Sequence, residues 1–393
     1  MRILIVIDTS RLCGGAEQTT YDLRAGLQQR GIETRIFAST AATPGEFYAD
    51  DTCLGTTSSF RTLLQSANPW AAQRLRQVIK DFSPDLIHLK MFLTQLSPLI
   101  LPVLKGTPCL YNVEWLRILC PTGNKRLPGN SPCTKPAGLV CYRSSCLPLH
   151  DYLPLALQAQ LLKTWQGVIQ HYVACSPYLA ASIQAAGLQP VSLIPNGVPL
   201  RAARPPLSQP PIVGFAGRIV PTKGLEWLIR AWPRVIAAYP QVCLRVIGEG
   251  EEQGKLQALA KYLGVENNIE WLGQRSREET NRLLEPAWIQ VFPSITPEGS
   301  PLVVLEAMMR GTVVVSFNFG VLEGLRSPGI QFVKPLDFAD LATTLINLLA
   351  DPERLETLGN QARKYALAEL SLERYVDRFI DLYQQLLQSS QSG

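Results

Sequence analysis

The stretch Pro297–Gly311, PEGSPLVVLEAMMRG, lies between two runs that read as buried strands, WIQVFPS (Trp288 to Ser294) and TVVVSF (Thr312 to Phe317). Apolar runs of this kind suit strands covered on both faces. Between them, Ser300–Pro301 predicts a helix start: a hydroxyl at the cap, then a ring whose φ is already helical. Gly311 predicts its end. Strand, loop, helix, strand is a βαβ unit. It commits this part of the chain to a sheet with helices packed on it, and such sheets bind ligands where their strands end.

Two acids stand in that stretch, Glu298 ahead of the helix and Glu306 inside it, with seven residues between them. A helix N-terminus offers unpaired amides and a positive dipole end, which suit a phosphate. Glu306 falls roughly 8 Å along the axis from that opening, about the reach from a diphosphate to a nucleotide ribose. A carboxylate there can accept from both ribose hydroxyls. The competing reading is an ordinary amphipathic helix with an incidental pair of acids.

In this pattern the chain resembles family 4 of the retaining glycosyltransferases, which carries the same Glu, seven residues, Glu arrangement before the same kind of helix. The resemblance implies the α/β GT-B architecture, two Rossmann-like, doubly wound domains facing an interdomain cleft. It gives Glu306 the ribose and Glu298 the hexose of a sugar donor. Members often have Phe-Gly where this chain has Ser300–Pro301. Pro301 has no N–H, so the amides of Ser300, Leu302 and Val303, beside Gly299, are left for the phosphates.

Upstream, IVGFAGRIVPTKG (Ile212 to Gly224) reads as a strand and a glycine-bounded loop opened by Gly217 and carrying Arg218 and Lys223. Two cations at a strand's carboxyl end can clamp a diphosphate, Arg as a fork and Lys as a point charge. A basic exposed loop is the plain alternative. The family has Arg and Lys at these positions, on the donor phosphates. Gly248, in Gly-Glu-Gly after the next strand, resembles the family's Gly-x-Gly loop. Gln274 lies near where the family meets the nucleobase. Gly320 and Glu323 are similar to part of its Gly-Gly-x-Pro-Glu sequence.

The N-terminal half opens with another strand, Arg2 to Ile7, then Gly14–Gly15 and a helix from about Ala16 to Arg30. A tight turn explains two glycines alone. In the family this loop, followed by Ala-Glu as in Ala16–Glu17, approaches donor diphosphate and acceptor. Residues 41–67 show no period and read as a loop-rich link. Asn68–Pro69 opens a helix, and DLIHL (Asp85 to Leu89) is a strand whose His88 matches a family histidine. Lys90 stands where a second polar residue, often His, is usual.

Residues 109–148 form a Pro-, Gly- and Cys-rich insertion. Cys120, Cys133, Cys141 and Cys146 are separated by twelve, seven and four residues. Four thiols this close suit a structural zinc, unligated thiols or a redox pair, and no Cys-x-x-Cys decides among them. Glu114 falls where some members place a His near the reacting sugar. It reads equally as a group that accepts or orients an acceptor proton and as a surface acid in a loop.

A Pro-rich link, RAARPPLSQPP (Arg201 to Pro211), suggests domains at 1–200 and 201–370, with 371–393 a helix packing back on the first. Hydrophobic residues make up 46% of the chain and charged residues 18%, within the soluble globular range. Arg2–Asp8 is too short for a signal peptide and Leu93–Leu104 for a membrane helix, so a cytoplasmic protein is expected. A net charge of +5 permits peripheral contact with an inner membrane face. No basic cluster points to nucleic acid.

The expected activity is transfer of a hexose, with retention, from a nucleotide-diphosphate sugar to a glycan, lipid-linked or small-molecule acceptor hydroxyl. Arg218, Lys223, Glu298 and Glu114 are the catalytic candidates, with no cofactor required. The alternatives are a non-catalytic sugar-nucleotide-binding module and a dehydrogenase. Against the second, neither half has Gly-x-Gly-x-x-Gly after its first strand.

Overall fold

The computed structural model describes residues 1–391 apart from 59, 129, 130, 297, 320, 321 and 326, with 390 and 391 described by backbone alone. In chain order the strands are β1 (Arg2–Thr9), β2 (Glu33–Ser39), β3 (Asp51–Cys53), β4 (Leu86–Leu89), β5 (Cys109–Val113), β6 (His171–Ala174), β7 (Val191–Leu193), β8 (Ile212–Ala216), β9 (Cys243–Ile247), β10 (Ile269–Trp271), β11 (Ile289–Phe292), β12 (Val313–Phe317) and β13 (Ile330–Val333). The helices are α1 (Gly15–Gln29), α2 (Arg61–Ser66), α3 (Pro69–Phe82), α4 (Leu139–Arg143), α5 (Leu149–Trp165), α6 (Pro177–Ala185), α7 (Leu225–Ala238), α8 (Gln253–Tyr262), α9 (Arg277–Leu284), α10 (Leu302–Arg310), α11 (Phe338–Leu349), α12 (Pro352–Glu369) and α13 (Leu372–Gln391). They form two compact units, Met1–Asn196 with the chain from Leu372 onward, and Gly197–Ser371.

The first unit is built on an all-parallel sheet in the order β3-β2-β1-β4-β5-β6-β7. β1 is central, which is why seven of its eight residues are buried. Ile5 pairs Ile36 on one side and His88 on the other. α13 packs on α1, and Gly26 is what lets it: a Cβ there would stand 2.4 Å from a Val376 methyl. α3 begins as its sequence predicts, Asn68 accepting from the Ala71 N–H with Pro69 in the first turn.

The second unit holds a sheet in the order β10-β9-β8-β11-β12-β13, again all parallel. α7 buries Leu225, Leu228, Ile229, Trp232 and Val235 against it, the i, i+3, i+4, i+7 spacing of a core-facing stripe. Each unit thus has a switch point, where the strand order reverses: between β1 and β4 in the first, between β8 and β11 in the second. In doubly wound sheets the crevice at the carboxyl ends of those two strands is where ligands sit.

Two expectations need correcting. Residues 41–67 contain β3 and α2. A three-residue strand with one buried side chain is too short to show a period. The helix of the central stretch starts at Leu302 with Pro301 as its cap and no side-chain capping bond, so Ser300 is not the cap. Pro301 is extended there, φ −70° and ψ 115°, and its carbonyl accepts from Val304 and Leu305.

Candidate functional site

The two cations and the two acids of the second unit all come from the loops and helix at its switch point. Arg218 and Lys223 follow β8; Glu298 and Glu306 follow β11. Lys223 Nζ lies 2.6 Å from Glu298 Oε2, joining residues 75 apart in sequence. Ser294 Oγ donates to the other Glu298 oxygen at 2.6 Å. Both charged side chains keep a little over a fifth of their surface exposed, so water and solutes reach the pair. Arg218 is exposed. The backbone bonds of α10 begin with the Val304 N–H, which donates to Pro301 O, so the Leu302 and Val303 amides belong to its first turn.

The loop carrying the cations is pinned by three backbone hydrogen bonds, two from the end of β9 and one from beyond β11. Ile219 N–H donates to Glu249 O after β9, Gly217 N–H donates to Ile247 O, and Thr222 O accepts from Ile295 N–H after β11. Glycine makes this possible. A Cβ on Gly248 would stand 2.0 Å from Gly217 O, and one on Gly224, where φ is +68°, would stand 1.9 Å from Pro293 O. Gly217 and Gly248 therefore act as packing points that fix Arg218 and Lys223. Gln274 follows β10; its N–H donates to the Glu249 carboxylate after β9, and its side chain is exposed. Gly299 and Ser300 lie in the half-buried loop before α10. Glu323 falls in a short 3-10 turn, Leu322–Leu325; Gly320 lies outside the described residues.

Glu306 is buried, and its carboxylate accepts from Arg277 Nε at 2.5 Å. Arg310, one turn further along α10, is buried too, its guanidinium held by Asn281 and, at 2.9 Å, by Gln290. Burial lowers the Arg310 guanidinium to about 10, partly opposed by Glu306, so it stays cationic at neutral pH. Glu306 is thus a carboxylate set among arginines. The sequence reading missed these partners. Arg310 was readable as an i+4 neighbour of Glu306; Arg277, on α9, becomes a neighbour only through the sheet order.

In the first unit the switch point is closed instead of open. Asp8, at the end of β1, is fully buried and accepts from the Thr94 N–H and hydroxyl and from the Gln95 and Leu96 amides. Burial pushes its carboxyl above the ordinary value against the pull of those bonds. Gly14 and Gly15 are exposed at the start of α1. Glu17, just beyond, is buried and accepts from the Thr9 hydroxyl at 2.8 Å; burial raises its carboxyl as well.

Glu114 is not a surface acid. Its side chain is 9% exposed and lies 2.9 Å from the ammonium of Lys90, which is fully buried. Lys90 also donates to Thr19 at 2.7 Å, and Asn196 donates to the second Glu114 oxygen at 3.3 Å. His88 is a core residue: Nδ1 lies 2.6 Å from the Tyr383 hydroxyl and the ring packs on Phe379. Burial, then Lys90, holds its imidazole well below the ordinary value.

Two family models divide the chain between them, "Glycosyl transferase 4-like domain" over residues 14–197 and "Glycosyl transferases group 1" over residues 200–365. The chain belongs to glycosyltransferase family 4. Among its relatives, a GDP-mannose-dependent monoacylated alpha-(1-6)-phosphatidylinositol monomannoside mannosyltransferase of Corynebacterium glutamicum is 32% identical over 181 residues, 44% of this chain and 47% of that protein. A glycogen synthase of Mycobacterium tuberculosis is 32% identical over 185 residues, 45% of this chain and 44% of that one. The matched stretch thus spans about half the length of these relatives. In fold, the family-4 chain matches sucrose-phosphate synthase from Thermosynechococcus elongatus (TM-score 0.75, 20% identity, 99% of each chain). It also matches Anabaena HepE in complex with UDP and glucose (TM-score 0.69, 19% identity, 98% of this chain and 100% of that one). These likenesses establish the GT-B fold.

Proposed function

We propose that this family-4 protein is a retaining glycosyltransferase that moves a hexose from a nucleotide-diphosphate sugar to an acceptor hydroxyl. The observation that carries the reading is the Lys223–Glu298 contact at the switch point of the second unit, beside the amino end of α10. A diphosphate is the ligand that an exchangeable ammonium, an exposed guanidinium and the first-turn amides of a helix suit together. Arg218 and Lys223 take the phosphates and offset the charge that develops as the diphosphate leaves. The chain itself supplies these cations, so the reading needs no metal there. Glu298, released from Lys223 by the incoming phosphate, turns to the hexose hydroxyls. Glu306, held in place by Arg277, accepts from the ribose. Retention follows from attack on the face from which the diphosphate departs. HepE, of the same fold, is described with UDP and glucose, and the Corynebacterium relative is named for GDP-mannose. Both support a nucleotide sugar and leave the base open.

The acceptor, a glycan, lipid-linked or small-molecule hydroxyl, falls to the first unit, where Glu114, fixed to buried Lys90, serves as a clasp for the surrounding loops and not as the group that takes the acceptor proton. Among the described residues no helix is long and apolar enough to cross a membrane, and we place the protein in the cytoplasm, at most peripheral to a membrane. A second reading, a non-catalytic sugar-nucleotide-binding module, is favoured by the engagement of Glu114 with buried Lys90. A panel of UDP, GDP and ADP sugars, incubated with protein and acceptor extract and read by mass spectrometry, separates the two. The transferase consumes one donor and yields a hexosylated product of unchanged anomeric configuration. Tight binding with no nucleotide released and no product formed leaves only the module.

A further inference from the structure

The insertion between β5 and α5 brings its four cysteines to one place by three separate local structures. Cys120 sits in the turn after a short 3-10 segment, Leu116–Ile118. Cys133 sits on the return arm of a hairpin, its N–H donating to Lys125 O at 2.7 Å. Cys141 lies in α4, and Cys146 follows it, folded back so that its N–H donates to Cys141 O at 2.9 Å. All four side chains line a single cavity of about 10 Å³, together with Thr122 and Arg126. That is room for one atom-sized guest.

The Cys120 sulfur lies 3.2 Å from the Thr122 hydroxyl, and the Gly123 N–H closes the turn by donating to the Cys120 carbonyl at 2.8 Å. A turn fixed in this way holds its thiol in place for a metal. The other three cysteines share the walls of the same cavity, so one ion there is within reach of four sulfur ligands, a full tetrahedral set. Among the described residues no three His, Cys, Asp or Glu side chains stand as a preformed ion-binding group, so closing the sulfurs on one ion takes side-chain rotation between staggered rotamers.

We propose that Cys120, Cys133, Cys141 and Cys146 bind one zinc ion in a four-thiolate structural site. On binding, each thiol gives up its proton to solvent and forms a Zn–S bond, with no change of oxidation state. The ion clasps the loop that begins at Glu114. Trp115, whose ring a Cβ on Gly123 would meet at 2.7 Å, ties that loop to the Cys120 turn. The site is independent of the donor site and is read without any turnover.

The test is metal content of the full chain, produced with zinc supplied and purified without chelator. The proposal expects one zinc per chain by mass spectrometry of the metal, released as a mercurial consumes four thiols. Cobalt put in its place would show thiolate-to-metal charge-transfer bands. Cys120→Ser and Cys141→Ser lose the metal. If those variants do not fold, mercurial release from the unaltered protein decides. Substoichiometric zinc with all nine thiols of the chain reacting at one rate, a disulfide among the four, or an iron–sulfide chromophore each overturns it.

Discussion

Each unit carries a Lys–Glu pair at the carboxyl ends of two neighbouring central strands, β4 and β5 in the first and β8 and β11 in the second, and the two pairs differ chiefly in their access to water. Lys90–Glu114, at 2.9 Å, has side chains 0% and 9% exposed; Lys223–Glu298, at 2.6 Å, has them 21% and 23% exposed. A sealed pair cannot exchange partners, because removing either charge strands the other in low dielectric. An open pair costs little to break, and an anionic ligand can take the lysine while a hydroxylated one takes the acid. The same two residue types thus make a structural clasp in one unit and a loaded binding site in the other.

The comparison can be broken most forcefully at the buried pair. Lys90→Met leaves Glu114 uncompensated and is expected to cost about 3–5 kcal/mol of stability, seen as a lower denaturation midpoint. Pairing it with Glu114→Leu should restore most of the loss. An unchanged midpoint in the single variant would mean that the pair is not sealed. At the open pair the effect moves from stability to chemistry. Lys223→Ala should lower kcat by about 100- to 1000-fold while shifting stability by no more than ~1 kcal/mol.

Glu306→Ala sharpens the contrast within the second unit. It removes the ribose acceptor and leaves half-buried Arg277 without its carboxylate. Donor affinity should fall by about 1.5–3 kcal/mol, with a smaller loss of kcat; a kcat loss alone would remove Glu306 from the ribose.

The smallest effect concerns His88. Its imidazole is neutral in the fold and held well below its ordinary value by burial, then Lys90. The unfolded chain binds that proton near pH 6.5, so the unfolded state gains protons first and stability falls as pH drops below that value. His88→Gln should flatten the slope by about 0.7 kcal/mol per pH unit at pH 6.5, rising to about 1.4 by pH 5. An identical slope would show that another group titrates.

What the sequence disclosed follows the same division. Buried parallel strands announce themselves as apolar runs, so β1, β8, β11 and β12 were legible, as were the loops that follow them with Gly14, Arg218, Lys223 and Glu298. Three-residue β3 was not, having too few positions to carry a pattern. The pairing of Lys90 with Glu114 was hidden because it depends on β4 and β5 being neighbours, not on spacing. Glu306 was found by position, but Arg277 reaches it only through the placement of α9. Ser300 looked like a cap because local chemistry favours it, yet the extended Pro301 delays the helix by one residue.

The central claim is that the Lys223–Glu298 contact gives way to a nucleotide-diphosphate sugar. Calorimetric titration of the UDP, GDP and ADP sugars into the unaltered protein and into Lys223→Ala tests it most directly. The account predicts saturable binding of one donor, weakened at least about tenfold (1.4 kcal/mol) by the substitution while the unfolding midpoint stays put. Equal affinity in both proteins, or no binding of any of the donors, would contradict it.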